Sequence, residues 1–488
     1  MKIKYLTFVL LAVLAACSKD EADFTTAEQS VPHSAGNSIV LGVKEVVSPA
    51  TRAAQVAGSM NFEQLKTTGF GVYGYKGEYD NGSSTPTLFG NTTNTHVTFI
   101  TGGTSPSTLL DIPGSWDYTN SDADNLVEWE EDEKYTFFAY APYMADNGTA
   151  PGITTIKAAS DVSAGDPTIG YTVSTDPASS VDLLWGVRTD SEEKAGLPWI
   201  DIQRGKTTSA VLFTFYHALC ALGLHAQVIV DQQNRLGELD DESYLGTIGD
   251  KDGCKVTLKS ITIAPRARVL PDVAEPFHQS ATLNLNNTTA VEADNYGAHQ
   301  PLWTSHSGTI SSLILDDGST DGHGTIDSRL LDPKTDDFSS PNPTNYDVMD
   351  DDDYDTEVPG ITESANSQTV IALDGSGKEQ FYMLIPQDAQ DYTVTVEYFL
   401  TYKTGESSPG VNTYHREAIT ASATISDLEL IAGVKYYINL VIGLTTFKVS
   451  IDAVDWDEST VPVTIATETS TSASESLAKR LRLSDREK

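Results

Sequence analysis

Cysteine is scarce: three residues in 488, too few for a disulfide scaffold, an iron–sulfur protein or a Cys-rich zinc module. Positive charge is scarce as well. With 31 Lys and Arg against 69 Asp and Glu the formal net charge is −38, and such a surface repels nucleic acid and anionic lipid, so no nucleic-acid partner is expected. Beyond the N-terminus no stretch approaches the run of about 18 apolar residues that a transmembrane helix needs. Helical periodicity is sparse. Enzyme signatures are missing too: no His-Glu-x-x-His and no Gly-x-Ser-x-Gly occurs, and Gly205-Lys206-Thr207 only mimics the end of a phosphate-binding loop, because Ile200 stands where its leading Gly is required. No catalytic residue, cofactor or metal site is therefore expected.

What is present begins with an export signal. Lys2 and Lys4 precede the apolar run Leu6 to Leu14, and Leu14-Ala15-Ala16-Cys17 reads as a lipobox. Residues 1–16 are then a lipoprotein signal peptide and Cys17 the acylated N-terminus, with the lipid as the anchor to the outer membrane. Ser18-Lys19-Asp20-Glu21 resembles the Lys-plus-acidic signal that sends lipoproteins of Bacteroidetes to the cell surface.

The remaining chain has the composition of a folded protein, with 21 Tyr, 15 Phe and 6 Trp. Alternating apolar and polar residues recur between clusters of Gly, Asn, Asp, Ser and Thr, which predicts an all-β fold. Strands are expected at 38–43, 70–75, 96–100, 135–140, 211–215, 255–263, 392–398, 436–442 and 447–451. Gln203-Arg204-Gly205-Lys206 reads as a polar hinge between two sandwiches or barrels. Residues 311–367 read as long loops, and Asp347 to Glu357 carries seven acids in eleven residues. A solvated acidic loop is the expectation there, since the Gly of an EF-hand is missing.

Four signposts in order then carry a resemblance. They are Trp129 with Tyr135-Thr136-Phe137-Phe138-Ala139-Tyr140-Ala141-Pro142, then Phe213-Thr214-Phe215-Tyr216-His217-Ala218-Leu219, then Met383-Leu384-Ile385-Pro386-Gln387, and last Gly433-Val434-Lys435-Tyr436-Tyr437-Ile438-Asn439-Leu440 running to Trp456. Behind a lipobox, this series resembles the fimbrillin-like family, the type V pilins of Bacteroidetes. The resemblance implies two tandem transthyretin-like β-sandwich domains. The expected layout is a lipidated propeptide with a candidate first strand at 17–52, an N-terminal sandwich at 53–205, a C-terminal sandwich with the acidic insertion at 206–460, and a tail at 461–488.

The resemblance further implies a fimbrial subunit assembled by strand exchange. An arginine-specific protease removes the first strand, and the emptied groove accepts a strand from another pilin subunit, giving a head-to-tail polymer. Arg52 and Ala53 stand where the family's cut would fall, in an exposed Pro- and Ala-rich segment of the kind proteases nick. As an alternative, Arg52 is an ordinary linker residue. Ile39, Leu41 and Val43 lie on one face of the strand to be removed. In the tail Val461, Val463 and Ile465 share a face and form the candidate donor strand; the alternative is a terminal strand that completes its own domain. The chain continues past Trp456 into a Ser/Thr-rich tract and a basic end, Leu477 to Lys488, longer than the family pattern.

Two function classes follow. One is a pilus subunit at the outer-membrane surface and then in the fimbrium, contributing to adhesion or biofilm. The other is a surface-tethered β-sandwich lipoprotein that binds glycan or another ligand without polymerising, its aromatic side chains serving as stacking platforms. Cys220 and Cys254 are expected as separate buried thiols, a bridge being the alternative. His217 and His225 are expected as partly buried strand histidines rather than a metal pair.

Overall fold

The computed structural model describes residues 38–46, 58–80, 88–89, 94–101, 115–120, 126–146, 148–157, 165–188, 196–203, 210–229, 254–267, 274–287, 300–318, 324–331, 359–363, 367–443, 446–455, 463–466 and 469–470. The first elements are β1 (Val40–Val46), helix α1 (Phe62–Thr68), β2 (Phe70–Lys76), β3 (Thr95–Phe99), β4 (Trp116–Asp117), β5 (Tyr135–Ala141), β6 (Ile153–Ile156), β7 (Thr168–Thr172), β8 (Leu184–Val187), β9 (Trp199–Ile202) and β10 (Ala210–His217). There follow β11 (Cys220–Val228), β12 (Cys254–Arg266), β13 (Phe277–Asn284), β14 (Leu302–Ile310), β15 (Leu313–Asp316), β16 (Gly324–Thr325), β17 (Ile361–Thr362) and β18 (Thr369–Val370). The last are β19 (Tyr382–Leu384), β20 (Gln387–Ser408), β21 (Val411–Leu430), β22 (Val434–Ile442), β23 (Phe447–Asp455), β24 (Val463–Ala466) and β25 (Thr469–Ser470).

These strands form four sheets. An eight-stranded sheet runs β1-β10-β8-β5-β2-β3-β4 with β9 on β5; a six-stranded one runs β18-β11-β22-β23-β24 with β19 on β11. A seven-stranded sheet runs β16-β15-β12-β20-β21-β25 with β17 on β12, and a four-stranded one runs β14-β13-β7-β6. The all-β reading holds, and each of the nine expected strand segments falls within or over a strand.

β2 and β5 explain how the sheets are held together. Every residue of β5 is buried, as is usual for a strand covered on both faces. Their side chains divide by parity: Phe70, Val72, Tyr135, Phe137 and Ala139 enter one apolar core, whereas Tyr73, Tyr75, Phe138 and Tyr140 enter the other. The first core also takes β1 and β10. The second continues into β11, β12, β20 and β22, so one sheet is the wall between two cores.

Three features depart from the sequence reading. β10, on the far side of the hinge expected at 203–206, pairs with β8 through Thr214↔Val187 and with β1, so the first sheet extends to His217. Of that hinge only Gln203 is described. β7 and β13 pair, Ser280↔Thr172 to Asn284↔Thr168, joining segments from either side of the hinge. Finally, the stretch expected as long loops contains β15 and β17, both laid against β12. Such short strands carry too few residues to alternate. The acidic stretch Asp347 to Glu357 lies outside the described residues.

Candidate functional site: the first strand and its groove

β1 lies at one end of the strand order of the eight-stranded sheet and runs parallel to β10, from Val40↔Ala210 to Val46↔Phe215. Its alternation is what the sequence predicts. Ile39, Leu41 and Val43 are each at most 1% exposed and lie in a core with Phe70, Trp116, Phe213 and Phe215. A register shift between Val43 and Glu45 breaks strict parity, so that Lys44 and Glu45 face solvent and Val46 turns back into the core. Burial of side chains of this kind is worth about 1.5–3 kcal/mol each. The aromatic floor beneath them is ordered edge to face, with Phe70 5.3 Å from Phe215 and 5.1 Å from Trp116.

The other edge of β1 is held near its start. The Ile39 amide donates to the Val127 carbonyl at 2.8 Å, and the Tyr118 hydroxyl donates to the Ile39 carbonyl at 3.0 Å while accepting the Val127 amide at 3.1 Å. Burial pushes the Tyr118 pKa up to about 12, which keeps that hydroxyl a donor. Ser38 bridges to Glu128. Removing β1 would therefore bare one ladder edge of β10 and an apolar slot floored by Phe213 and Phe215.

The chain beyond the expected cut has its own fastening. The Asp182 amide donates to the Gly58 carbonyl and the Met60 amide donates to Asp182 Oδ2, both at 3.1 Å. The same Oδ2 is 2.6 Å from His217 Nδ1, and both side chains are buried. Gly58 has φ +76°, and a Cβ there would sit 2.1 Å from the Ser180 carbonyl oxygen, so only glycine fits. Immediately after, Asn61 caps α1: its Oδ1 accepts the Glu63 and Gln64 amides at 2.9 and 3.0 Å, and Gln64 Oε1 accepts the Asn61 amide at 3.1 Å. Helix α1 was not expected, although Asn-x-x-Gln was the legible signal for it.

Of the other expected site residues, Cys17, Arg52, Ala53 and Val461 lie outside the described residues, as do Trp456 and Gly205-Lys206-Thr207. The backbones of Val463 and Ile465 are described, in β24, where they pair with Ala453 and Ile451 of β23 in the same chain. β25 then pairs with β21. In this single chain the described parts of the tail, 463–466 and 469–470, thus join its own sheets.

Cys220 and Cys254 are both buried and not joined in a disulfide, one in each of two sheets, as expected of separate thiols. His217 is taken up by Asp182, and His225 Nε2 is 2.8 Å from Glu379 Oε1. The two histidines do not converge. Among the described residues no group of three or more His, Cys, Asp or Glu side chains is placed to hold a metal ion, and no helix is long and apolar enough to cross a membrane.

A fimbrial protein from Bacteroides vulgatus superimposes with a TM-score of 0.51 at 20% identity, over 86% of this chain and 99% of that one. The chain has the fold of that Bacteroides fimbrial protein. A fimbrial assembly protein from Parabacteroides distasonis is a looser match, with a TM-score of 0.31 at 11% identity over 88% of this chain and 98% of that one. No protein-family model matches the sequence, and no curated protein matches it. The shared fold agrees with the resemblance that the four ordered signposts carry.

Proposed function

We propose that this chain is a pilus subunit, exported as a lipoprotein through Cys17 to the outer-membrane surface and assembled by protease-triggered strand exchange. What supports the reading above all is β1. Its Ile39, Leu41 and Val43 fill a core, it occupies a sheet edge, it lies N-terminal to Arg52, and the chain from Gly58 onward is pinned separately through Asp182.

While β1 is covalently present its effective concentration at the groove excludes a donor from another subunit. An arginine-specific protease cutting between Arg52 and Ala53 removes that advantage along with the lipid. A strand from a second subunit then adds main-chain hydrogen bonds to β10 and places alternate apolar side chains in the vacated slot. The tail around Val461, Val463 and Ile465 is the proposed donor, and to serve it must first leave β23. Head-to-tail contacts of this kind do not close, so the product is a filament. The two sandwiches are proposed to meet at Ala218 and Leu219, between β10 and β11, rather than at the hinge.

The test is controlled trypsin-like cleavage of the purified precursor, followed by N-terminal sequencing and electron microscopy. The expected result is an N-terminus at Ala53 and filaments, both abolished by Arg52→Ala. Filaments from the uncleavable variant would overturn the mechanism. Filaments from a chain truncated before Val461 would move the donor elsewhere and leave the cleavage step standing.

A further inference from the structure

The four-stranded sheet carries a feature that subunit exchange does not use. Strand β14 is at its edge, and Thr304 to Thr309 are all exposed. The β13 to β14 ladder is regular from His278↔Thr309 to Ser280↔Ser307, but resumes at Thr282↔Thr304, so that Ser305 and His306 together face Ala281 alone. This bulge has a cause in the backbone: Ser305 has φ 53° and Gly308 has φ 66°, both left-handed. In an unbroken ladder His306 would point to the opposite face from His278. The extra residue brings it back, and the two imidazoles lie with centroids 4.1 Å apart and planes tilted by 31°. Neither ring has a hydrogen-bond partner among the described residues.

From this juxtaposition we infer that His278 and His306 form a two-imidazole chelating site for a borderline divalent transition-metal ion, with Zn2+ the best fit, on the open face of the four-stranded sheet. Imidazole nitrogen suits such ions, and Zn–N bonds of about 2.0–2.1 Å are within reach of two rings this close after small side-chain rotations. The remaining coordination positions are left to water. Metal ligation needs neutral imidazole. Burial lowers the His278 pKa, the adjacent His306 lowers it further, and the opposing pull of Glu275 and Asp388 does not reverse the direction. Those two carboxylates instead supply local negative charge that favours an incoming cation, within a chain of net charge −38. His415 and His96 are placed differently, the first beside Tyr402 and the second stacked on Tyr143.

The test is titration of the full chain with Zn2+ at about pH 7.5 against a fluorescent zinc chelator, with the histidine ring signals followed by NMR on selectively labelled protein. One tight equivalent is expected, moving two histidine resonances together. His278→Asn and His306→Asn should each weaken it by about tenfold or more, without changing the circular dichroism. An excess of Ca2+, which prefers oxygen ligands, should not compete. Lowering the pH should weaken binding, because protons compete with the metal for imidazole nitrogen. The inference is overturned if no histidine resonance moves, if both variants bind as the parent does, or if Ca2+ displaces the metal, since each would put the ion on carboxylates or leave it unbound.

Discussion

Asp182 joins two parts of the first sheet to the start of the chain beyond the expected cut: one of its oxygens lies 2.6 Å from His217 Nδ1 and also accepts the Met60 amide at 3.1 Å. The carboxylate is buried, so both donors lose their partner in an apolar setting if it is removed. Asp182→Ala is therefore expected to destabilise the protein by about 1–3 kcal/mol for each donor left unsatisfied. Hydrogen exchange would locate the effect, the Met60 amide losing protection before the amides of β5. Unchanged protection at Met60 would show that residues 58–60 are held by something else.

Leu41→Ala separates the precursor from the processed form. In the precursor the residue is 1% exposed, and truncation should cost about 2–5 kcal/mol in urea denaturation. In the proposed processed form, cut at Arg52 and stripped of this strand, variant and parent should unfold alike.

His225 gives a pH-dependent contribution with a defined sign. Burial alone would lower its pKa, but the hydrogen bond and charge of Glu379, with help from Gln368 and Asp452, outweigh this and the net direction is up. A raised folded-state pKa means that the stabilisation is fully present below the unfolded value of about 6.5 and is lost as pH rises through the folded value. The stability gap between parent and His225→Asn should accordingly be larger near pH 5 than near pH 8, as read from denaturation midpoints. An equal gap at both would contradict the coupling to Glu379.

The thiols should be silent until the protein opens. Cys220 donates to the Leu384 carbonyl at 3.5 Å, and burial pushes its pKa up to about 12. With Cys254 also buried and outside any disulfide, neither should react with a thiol reagent in the native state, and reducing agent should leave the melting temperature unchanged.

The strands with alternating or aromatic residues were legible because periodicity reports directly on a half-buried ladder, and β1 is the clearest case, its Ile39, Leu41 and Val43 lying where the pattern puts them. Partnership was less legible. That β1 pairs in parallel with β10, or that β7 reaches across to β13, depends on contacts far apart in sequence, which no local pattern encodes. His306 marks another limit: its face is set by a bulge at Ser305, and a single extra residue reverses what parity predicts. Asp182 had no signal at all. It is one acid among many, and only the fold brings it to Met60 and His217.

The division of β2 and β5 by parity has a thermodynamic consequence. Tyr73 and Tyr75 belong to one core and Phe70 and Val72 to the other, yet Val72, Tyr73 and Tyr75 share a single ladder with Tyr135 to Tyr140, and Phe70 continues the same strand. Neither core can melt while that ladder stays intact, and once it parts both lose a wall. Heating should therefore give one calorimetric endotherm whose van't Hoff and calorimetric enthalpies agree, rather than two separable events. A Val72→Ala variant, which touches only the first core, should lower the temperature of the entire transition.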